Sequence, residues 1–384
     1  MYLPNYKGYS IVNLMSSIGG ASGWKSPYSP LKNLSPKELK KYKNIVLIVI
    51  DGLGYEYLIN QKQSFLKDHL RSKMTSVALP TTASAITTFA TGLAPQQHAY
   101  TGWFMFLKEL GIITTILPFS PRVGGKQLDE YGIETKDILK TKAFSERINR
   151  KAVVISHKDI ARSNFSLAVS KKSKIITYND NISTFFKQLK NSLKFNGRKF
   201  IYAYWPRFDG LAHKYGIESK KVNKHFNELD KKFKTFFKRL KTKNTLFIIT
   251  ADHGLITTPI KDRIMLDKHQ KLKECLTMPP CGEGRTPYCY VHPSKSKDFE
   301  RYVKAKLKKY CDMYKSKDLI KRNFFGLGPA NPMLADRLGD YVLIMKKNYI
   351  LKTINLGEKD NKHMGHHGGF SKEELFVPLI IVKT

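Results

Sequence analysis

Hydrophobic positions in this chain fall into short, uninterrupted runs separated by amphipathic or irregular stretches. Ile45–Ile50, Ala152–Ile155, Phe200–Tyr204, Leu246–Thr250, Tyr341–Met345 and Phe376–Val382 are rich in Ile, Val, Leu and Phe and do not alternate with polar residues. Such runs predict buried strands, of the kind found in a sheet covered on both faces. Between two of them lie Val222, Phe226, Leu229, Phe233, Phe236 and Leu240, spaced by three and four, with lysines on the opposite face. That spacing predicts a crossover helix packed on the sheet by one stripe. The stretch 256–364 changes character: Pro and Gly are scattered through it, it holds all four cysteines, and it shows one strong strand. Because Phe376–Val382 again reads as core, the expected organisation is an α/β core from residues 1–255 and 365–384 with an inserted subdomain at 256–364.

Composition narrows the class. With 384 residues, 41% hydrophobic and 12% aromatic, the chain can build a large core, which excludes global disorder. Lys and Arg outnumber Asp and Glu by 67 to 31, a formal charge of +36. A field of that sign attracts nucleic acid, anionic lipid or phosphorylated substrates, or else reflects a lysine-rich solvated exterior. Cys275, Cys281, Cys289 and Cys311 lack Cys-x-x-Cys spacing and are too sparse for a disulfide scaffold. The first residues do not form a secretory signal pattern, and the longest clean apolar run, Ile45–Ile50, is far below the roughly 20 residues of a membrane helix. The expectation is a soluble, cytoplasmic protein with no transmembrane segment.

Candidate chemistry gathers where predicted strands end. Asp51, followed by Gly-Leu-Gly, closes the first run; Asp252-His253-Gly254 follows Leu246–Thr250; Asp209 follows Phe200–Tyr204, with His213 one helical turn later. Ligands of open α/β sheets bind outside the carboxyl ends of strands, and Asp and His recurring there are donors for a metal ion. His363, His366 and His367 cluster just before the last strand. The Ala/Ser/Thr run ending at Gly92 predicts a short helix with Thr82 at its N-terminus, where free amides and the helix dipole favour an anion. A metal-held hydroxyl at that place can attack phosphorus.

Taken in order, Val-Ile-Asp51-Gly-Leu-Gly, Pro-Thr-Thr82-Ala, Thr91 to His98, Asp209…His213, Asp252-His253-Gly254 and His367-Gly368-Gly369 resemble the alkaline phosphatase superfamily, in its type I phosphodiesterase/nucleotide pyrophosphatase branch. The resemblance runs from about residue 40 to the C-terminus. It implies a three-layer α/β/α sandwich of the alkaline phosphatase type with a smaller inserted subdomain, holding two divalent metal ions. Zinc suits the mixed donor set best, with manganese or iron as alternatives. By the same resemblance one ion takes Asp51, Thr82, Asp252 and His253, and the other takes Asp209, His213 and His367, with His366 competing for the last place. Thr82 is the implied nucleophile, and a phosphothreonyl intermediate follows from it. The implied reaction is hydrolysis of phosphodiester or pyrophosphate bonds in a small anionic, nucleotide-like substrate. A phosphomonoesterase or phosphonate hydrolase on the same site, and a basic nucleic-acid-binding protein without hydrolysis, are the alternatives. The sequence departs from the family at one point. Members carry an asparagine shortly after the His98 position that holds a phosphoryl oxygen, and Tyr100-Thr101-Gly102-Trp103 stands there instead. Metals, backbone amides or another donor must then supply that contact; Arg285 is a candidate donor, with a plain surface arginine as the alternative reading, and only Arg207 or Arg285, from distant segments, could clamp the doubly charged phosphoryl group of a monoester. The Cys281–Arg285 segment superficially matches a sulfatase motif, but Glu283 replaces its proline, and the segment follows the Asp-His pair; the sulfatase reading is rejected.

Overall fold

The structure is a computed structural model describing residues 1–384. Its centre is a seven-stranded sheet in the order Leu70–Thr75, Phe376–Lys383, Thr245–Thr250, Asn44–Ile50, Lys199–Trp205, Lys151–His157, Ser173–Tyr178. The strand Phe376–Lys383 runs antiparallel to both its neighbours, and the other pairings are parallel. Asn44–Ile50 and Thr245–Thr250 are buried at every position, as their unbroken apolar runs require. Helices cover both faces. The helix Lys220–Arg239 buries Val222, Phe226, Leu229 and Phe233 against the sheet and leaves its lysines in water. Leu240 ends this helix as its C-cap and lies outside the last turn.

The edge strands Leu70–Thr75 and Ser173–Tyr178 carry no clean apolar run. Each is half-exposed along most of its length, so its residues face water on one side and read as polar.

A second, antiparallel sheet stands against the carboxyl-end side of the first. Its order is Cys311–Lys315, Tyr341–Met345, Thr286–Cys289, Cys281–Glu283, Phe104–Leu107, Ile112–Thr115, Ser120–Pro121. This sheet draws on more of the chain than the interval 256–364. The segment from Phe104 to Pro121 supplies three strands, joined to the rest by Gly282 pairing with Phe104. The interval 256–364 itself contributes four strands to this sheet where one was expected, because three of them are only three to five residues long and give no apolar run of their own. The four cysteines are unpaired and buried in its core clusters. No helix is long and apolar enough to cross a membrane.

Candidate metal centre

Three central strands deliver acidic residues to one place. Asp51 follows Asn44–Ile50, Asp252 follows Thr245–Thr250, and Asp209 lies in helix Arg207–Tyr215, which starts just after Lys199–Trp205. These strands are adjacent and parallel, so their carboxyl ends meet at one edge. The two turns touch backbone to backbone. A Cβ on Gly254 would sit 1.9 Å from the Glu373 carbonyl and 2.9 Å from the Gly54 Cα, so no side chain fits there.

Thr82 opens the helix Thr82–Thr91, and Gly92 closes it in the left-handed conformation at φ 74°. The Thr82 hydroxyl lies 3.1 Å from His253 Nε2. His253 turns Nδ1 to the Gly254 carbonyl at 3.1 Å, so Nδ1 carries the proton and Nε2 presents its lone pair to the site. That nitrogen is 3.4 Å from Asp51 Oδ1 and 3.5 Å from Asp252 Oδ2. Asp252 is held by its other oxygen, which accepts from Gly52 N and His253 N, both at 3.0 Å. Tyr204 donates its hydroxyl to Asp51 Oδ2.

A second cluster adjoins the first. One helical turn brings His213 Nε2 to 3.3 Å from Asp209 Oδ2, and His367 Nε2 lies 3.2 Å from His213 Nε2. His213 Nδ1 faces the Gly365 carbonyl at 2.8 Å, which again leaves Nε2 free of its proton. The His253 and His367 rings stack at 3.9 Å, so His253 lies between the clusters and joins both donor groups, Asp51/Asp252/His253 and Asp209/His253/His367. His366, in a short strand paired with Ile256–Thr257, points Nε2 at the His363 carbonyl, 3.1 Å away. The His363 ring packs tilted against His213, with centroids 4.9 Å apart.

These residues fit divalent ions. A tetrahedral ion with bonds of about 2.0–2.1 Å separates its ligands by roughly 3.3 Å. The donor pairs above span 3.1 to 3.5 Å. Asp51 Oδ1, Asp209 Oδ1, Asp252 Oδ2 and His367 Nδ1 are buried with no hydrogen-bond partner, an arrangement that is costly without a cation. Electrostatics agree. Burial, then Asp252 and Asp209, raise the Asp51 carboxyl well above its usual range, and burial pushes Asp209 up to about 7. Burial also drives His367 down, helped by His253 and His213.

Arg285 is neither a surface residue nor a phosphate donor. It is buried and paired in two parallel bonds of 2.9 and 2.8 Å with the buried Glu374, and it also donates to the Tyr349 carbonyl at 2.5 Å. Glu374 in turn accepts from Gly369 N at 2.8 Å, and its carbonyl accepts from Gly254 N at 2.9 Å. The ion pair therefore braces the loops carrying His367 and His253. Arg207 is exposed and donates to the Asp180 carbonyl at 3.3 Å. By sequence Glu283 stands out only as the residue in place of a sulfatase proline. In the structure its Oε1 accepts from Thr81 Oγ1 at 2.5 Å and from Trp103 N at 3.1 Å. Burial pushes its carboxyl up to about 7, with Asp209 adding to the rise. Nothing local marks Glu283 or Tyr204; only strand pairing brings them here.

An open, mostly parallel sheet gathers buried Asp and His side chains at its strand ends, around a threonine that starts a helix, and these groups are candidate metal donors. A family model, type I phosphodiesterase/nucleotide pyrophosphatase, matches residues 45–370. The chain belongs to that family and is a phosphohydrolase. Among solved structures, murine ectonucleotide pyrophosphatase/phosphodiesterase 5 aligns with TM-score 0.64 and 17% identity over 87% of each chain. Its inactive threonine-to-alanine variant in complex with AMP aligns equally well. Phosphonoacetate hydrolase from Sinorhizobium meliloti 1021, in complex with phosphonoformate, aligns with TM-score 0.63 and 17% identity over 89% of this chain and 91% of its own. At such identity the likeness establishes the fold, the α/β/α architecture of the alkaline phosphatase type. No curated protein matches the chain.

Proposed function

We propose that this protein hydrolyses phosphodiester or pyrophosphate bonds through a phosphothreonyl intermediate on Thr82, in a site for two divalent ions, most suitably zinc. The observation that carries the reading is the Thr82 hydroxyl at a helix start, 3.1 Å from His253 Nε2 and bordered by buried carboxylate oxygens that lack partners. Asp51, Thr82, Asp252 and His253 would hold one ion, and Asp209, His213 and His367 the other, with His253 close to both. When bound, such ions stabilise charge on attacking and leaving oxygens and lower the pKa of a coordinated hydroxyl.

The chain's own residues do the rest. Thr82 Oγ forms a bond to phosphorus while the bond from phosphorus to the leaving oxygen breaks, and the threonine proton reaches the leaving group through solvent. Water then attacks phosphorus, the bond to Thr82 Oγ breaks, one water proton restores the threonine, and the monoester departs. Tyr204 holds Asp51, and the Gly365 and Gly254 carbonyls fix the tautomers of His213 and His253. Backbone amides at the start of Thr82–Thr91 would supply the oxyanion contact in place of the missing asparagine. The inactive threonine-to-alanine variant of the murine relative supports a threonine nucleophile.

The test is Thr82→Ala assayed with zinc on bis-nitrophenyl phosphate, nitrophenyl phosphate, a dinucleotide and phosphonoacetate. Loss of turnover with most of the metal retained by the remaining ligands is the expected result, and the diester should be the best substrate. Near-native activity would move the nucleophile to Thr81 or to water. Preference for phosphonoacetate would favour the phosphonate hydrolase reading, whose fold relative binds that compound.

A further inference from the structure

From Thr82, Asp51 and Asp209 a cavity of about 540 Å³ runs into the protein between the helix Thr82–Thr91 and the main sheet. On the sheet side Phe200, Tyr202 and Tyr204 line it, as do Ala152, Val154 and Ser156 from the neighbouring strand. Alternate residues of a strand share a face, so this is one continuous face of the sheet. Its depth follows from both walls. Thr82 to Ala90 is eight residues of helix, about 12 Å. Tyr204 to Phe200 is four residues of strand, roughly 13 Å. In an α/β sandwich this face would normally be sealed by a helix. Here the cover is shared with the six-residue helix Asn164–Val169, and the gap is left open beside the nucleophile.

The chemistry of the wall is selective. Thirty residues line the cavity and none is Lys or Arg, although the chain has 67 of them. The only charged groups are carboxylates: Asp51 and Asp209 at the metal centre, and Asp159. Additional phosphates of a polyphosphate would meet no cation here and would be repelled. Gln127, Trp103, Tyr202 and six serines bring polar atoms to the wall, but sixteen of the thirty lining residues are hydrophobic, and Ile86, Phe89, Phe165, Val169 and Phe200 offer nothing to hydrogen-bond the edge of a base. Protein interiors are otherwise close-packed, so an apolar void of this size opening onto a reacting phosphorus has the character of a binding site.

We infer that this cavity takes an uncharged hydrocarbon chain esterified to the phosphate, so the substrate class is a phosphodiester with one long aliphatic substituent. The inference rests on the phosphodiesterase reading above. In the reaction the chain-bearing phosphoryl group is the one retained: Thr82 Oγ bonds to phosphorus, the other ester bond breaks, and water later releases the monoalkyl phosphate and restores the hydroxyl.

The experiment uses the zinc-loaded protein with methyl, butyl and octyl nitrophenyl phosphate and the nitrophenyl ester of thymidine 5′-phosphate, all below micellar concentration. Calorimetry of monomethyl and monooctyl phosphate binding runs alongside. Burial of each methylene is worth about 4-fold, so even partial burial predicts a rise in kcat/KM of roughly 100-fold from methyl to octyl. The octyl ester should exceed the thymidine ester, and monooctyl phosphate should bind more tightly than monomethyl phosphate by a similar factor. Ala90→Phe, which fills the inner end, should flatten both series. A flat series in the native protein with the methyl ester still hydrolysed would overturn the inference and leave the phosphodiesterase reading standing, as would a thymidine ester that outperforms the octyl ester. Absence of all hydrolysis alongside chain-length-dependent phosphate binding would support the cavity and overturn the reading of the reaction instead. Equal binding of the two phosphates would sink the cavity whatever the activity.

Discussion

Replacing Arg285 with Met should be among the most damaging single changes in this protein, although the residue touches no metal donor. The guanidinium makes two parallel bonds to Glu374 and a third to the Tyr349 carbonyl, and both charged side chains are almost wholly enclosed, at 1% and 0% exposure. Methionine fills most of the volume but removes all three bonds and leaves a buried carboxylate unpaired. Breaking a buried pair from one side costs about 3–5 kcal/mol. Removing the second charge as well, in Arg285→Met/Glu374→Met, takes away that orphan. It still strips Gly369 N of its acceptor, which costs about 1–3 kcal/mol. The double variant should therefore be more stable than the single one. Urea unfolding followed by the fluorescence of Trp24, Trp103 and Trp205 measures both, with far-ultraviolet dichroism as a second probe. A loss below about 1 kcal/mol in Arg285→Met would refute the reasoning. A double variant less stable than the single would do the same.

Elemental analysis should show Asp209→Ala and His213→Ala each depleting one ion and Asp252→Ala the other, while His366→Ala, whose ring faces the His363 carbonyl, keeps both. In the metal-free protein Asp51 and Asp209 have folded-state pKa values raised above their unfolded ones, as does Glu283, so folding favours their protonated forms. Stability should then be fully present below about pH 4 and fall as pH rises toward about 7, and saturating zinc should remove most of that slope in thermal melts. Glu283→Ala loses the anchor of Thr81 and Trp103 and should lower kcat by roughly 10-fold with metal content intact, since each of the two hydrogen bonds is worth about 0.5–1.5 kcal/mol. Glu283→Gln, which keeps an acceptor, should recover part of it; equal kcat in Glu283→Ala and the native protein would remove the residue from the account.

The positions of Asp51, Asp252 and Asp209 were legible because each follows a run such as Ile45–Ile50 whose unbroken apolar character marks a strand buried on both faces. The end of such a strand is an address in the fold. Thr82 was legible for a similar reason: a run of small residues stopped by Gly92 marks where a helix starts and ends. These are local patterns, dictated by what a few consecutive residues must bury or expose. His213 belongs with them, because one helical turn relates it to Asp209.

Other features depend on residues far apart in the chain. The strands at 104–121 join the second sheet through Gly282, and that pairing places Glu283 against Thr81 and Trp103 some 180 to 202 positions away. Arg285 reads as an ordinary basic residue until Glu374 closes over it. His366 and His367 are adjacent and chemically identical; the pairing of Gly365–His366 with Ile256–Thr257 turns one ring to the His363 carbonyl and the other toward Asp209 and His253. The cavity beside Thr82 has no signature either, since Phe89, Val154 and Phe200 look like core residues whether they meet each other or a ligand. Sequence periodicity records which face of an element avoids water. It does not record what the face packs against, and that is decided when distant elements compete for the same surface.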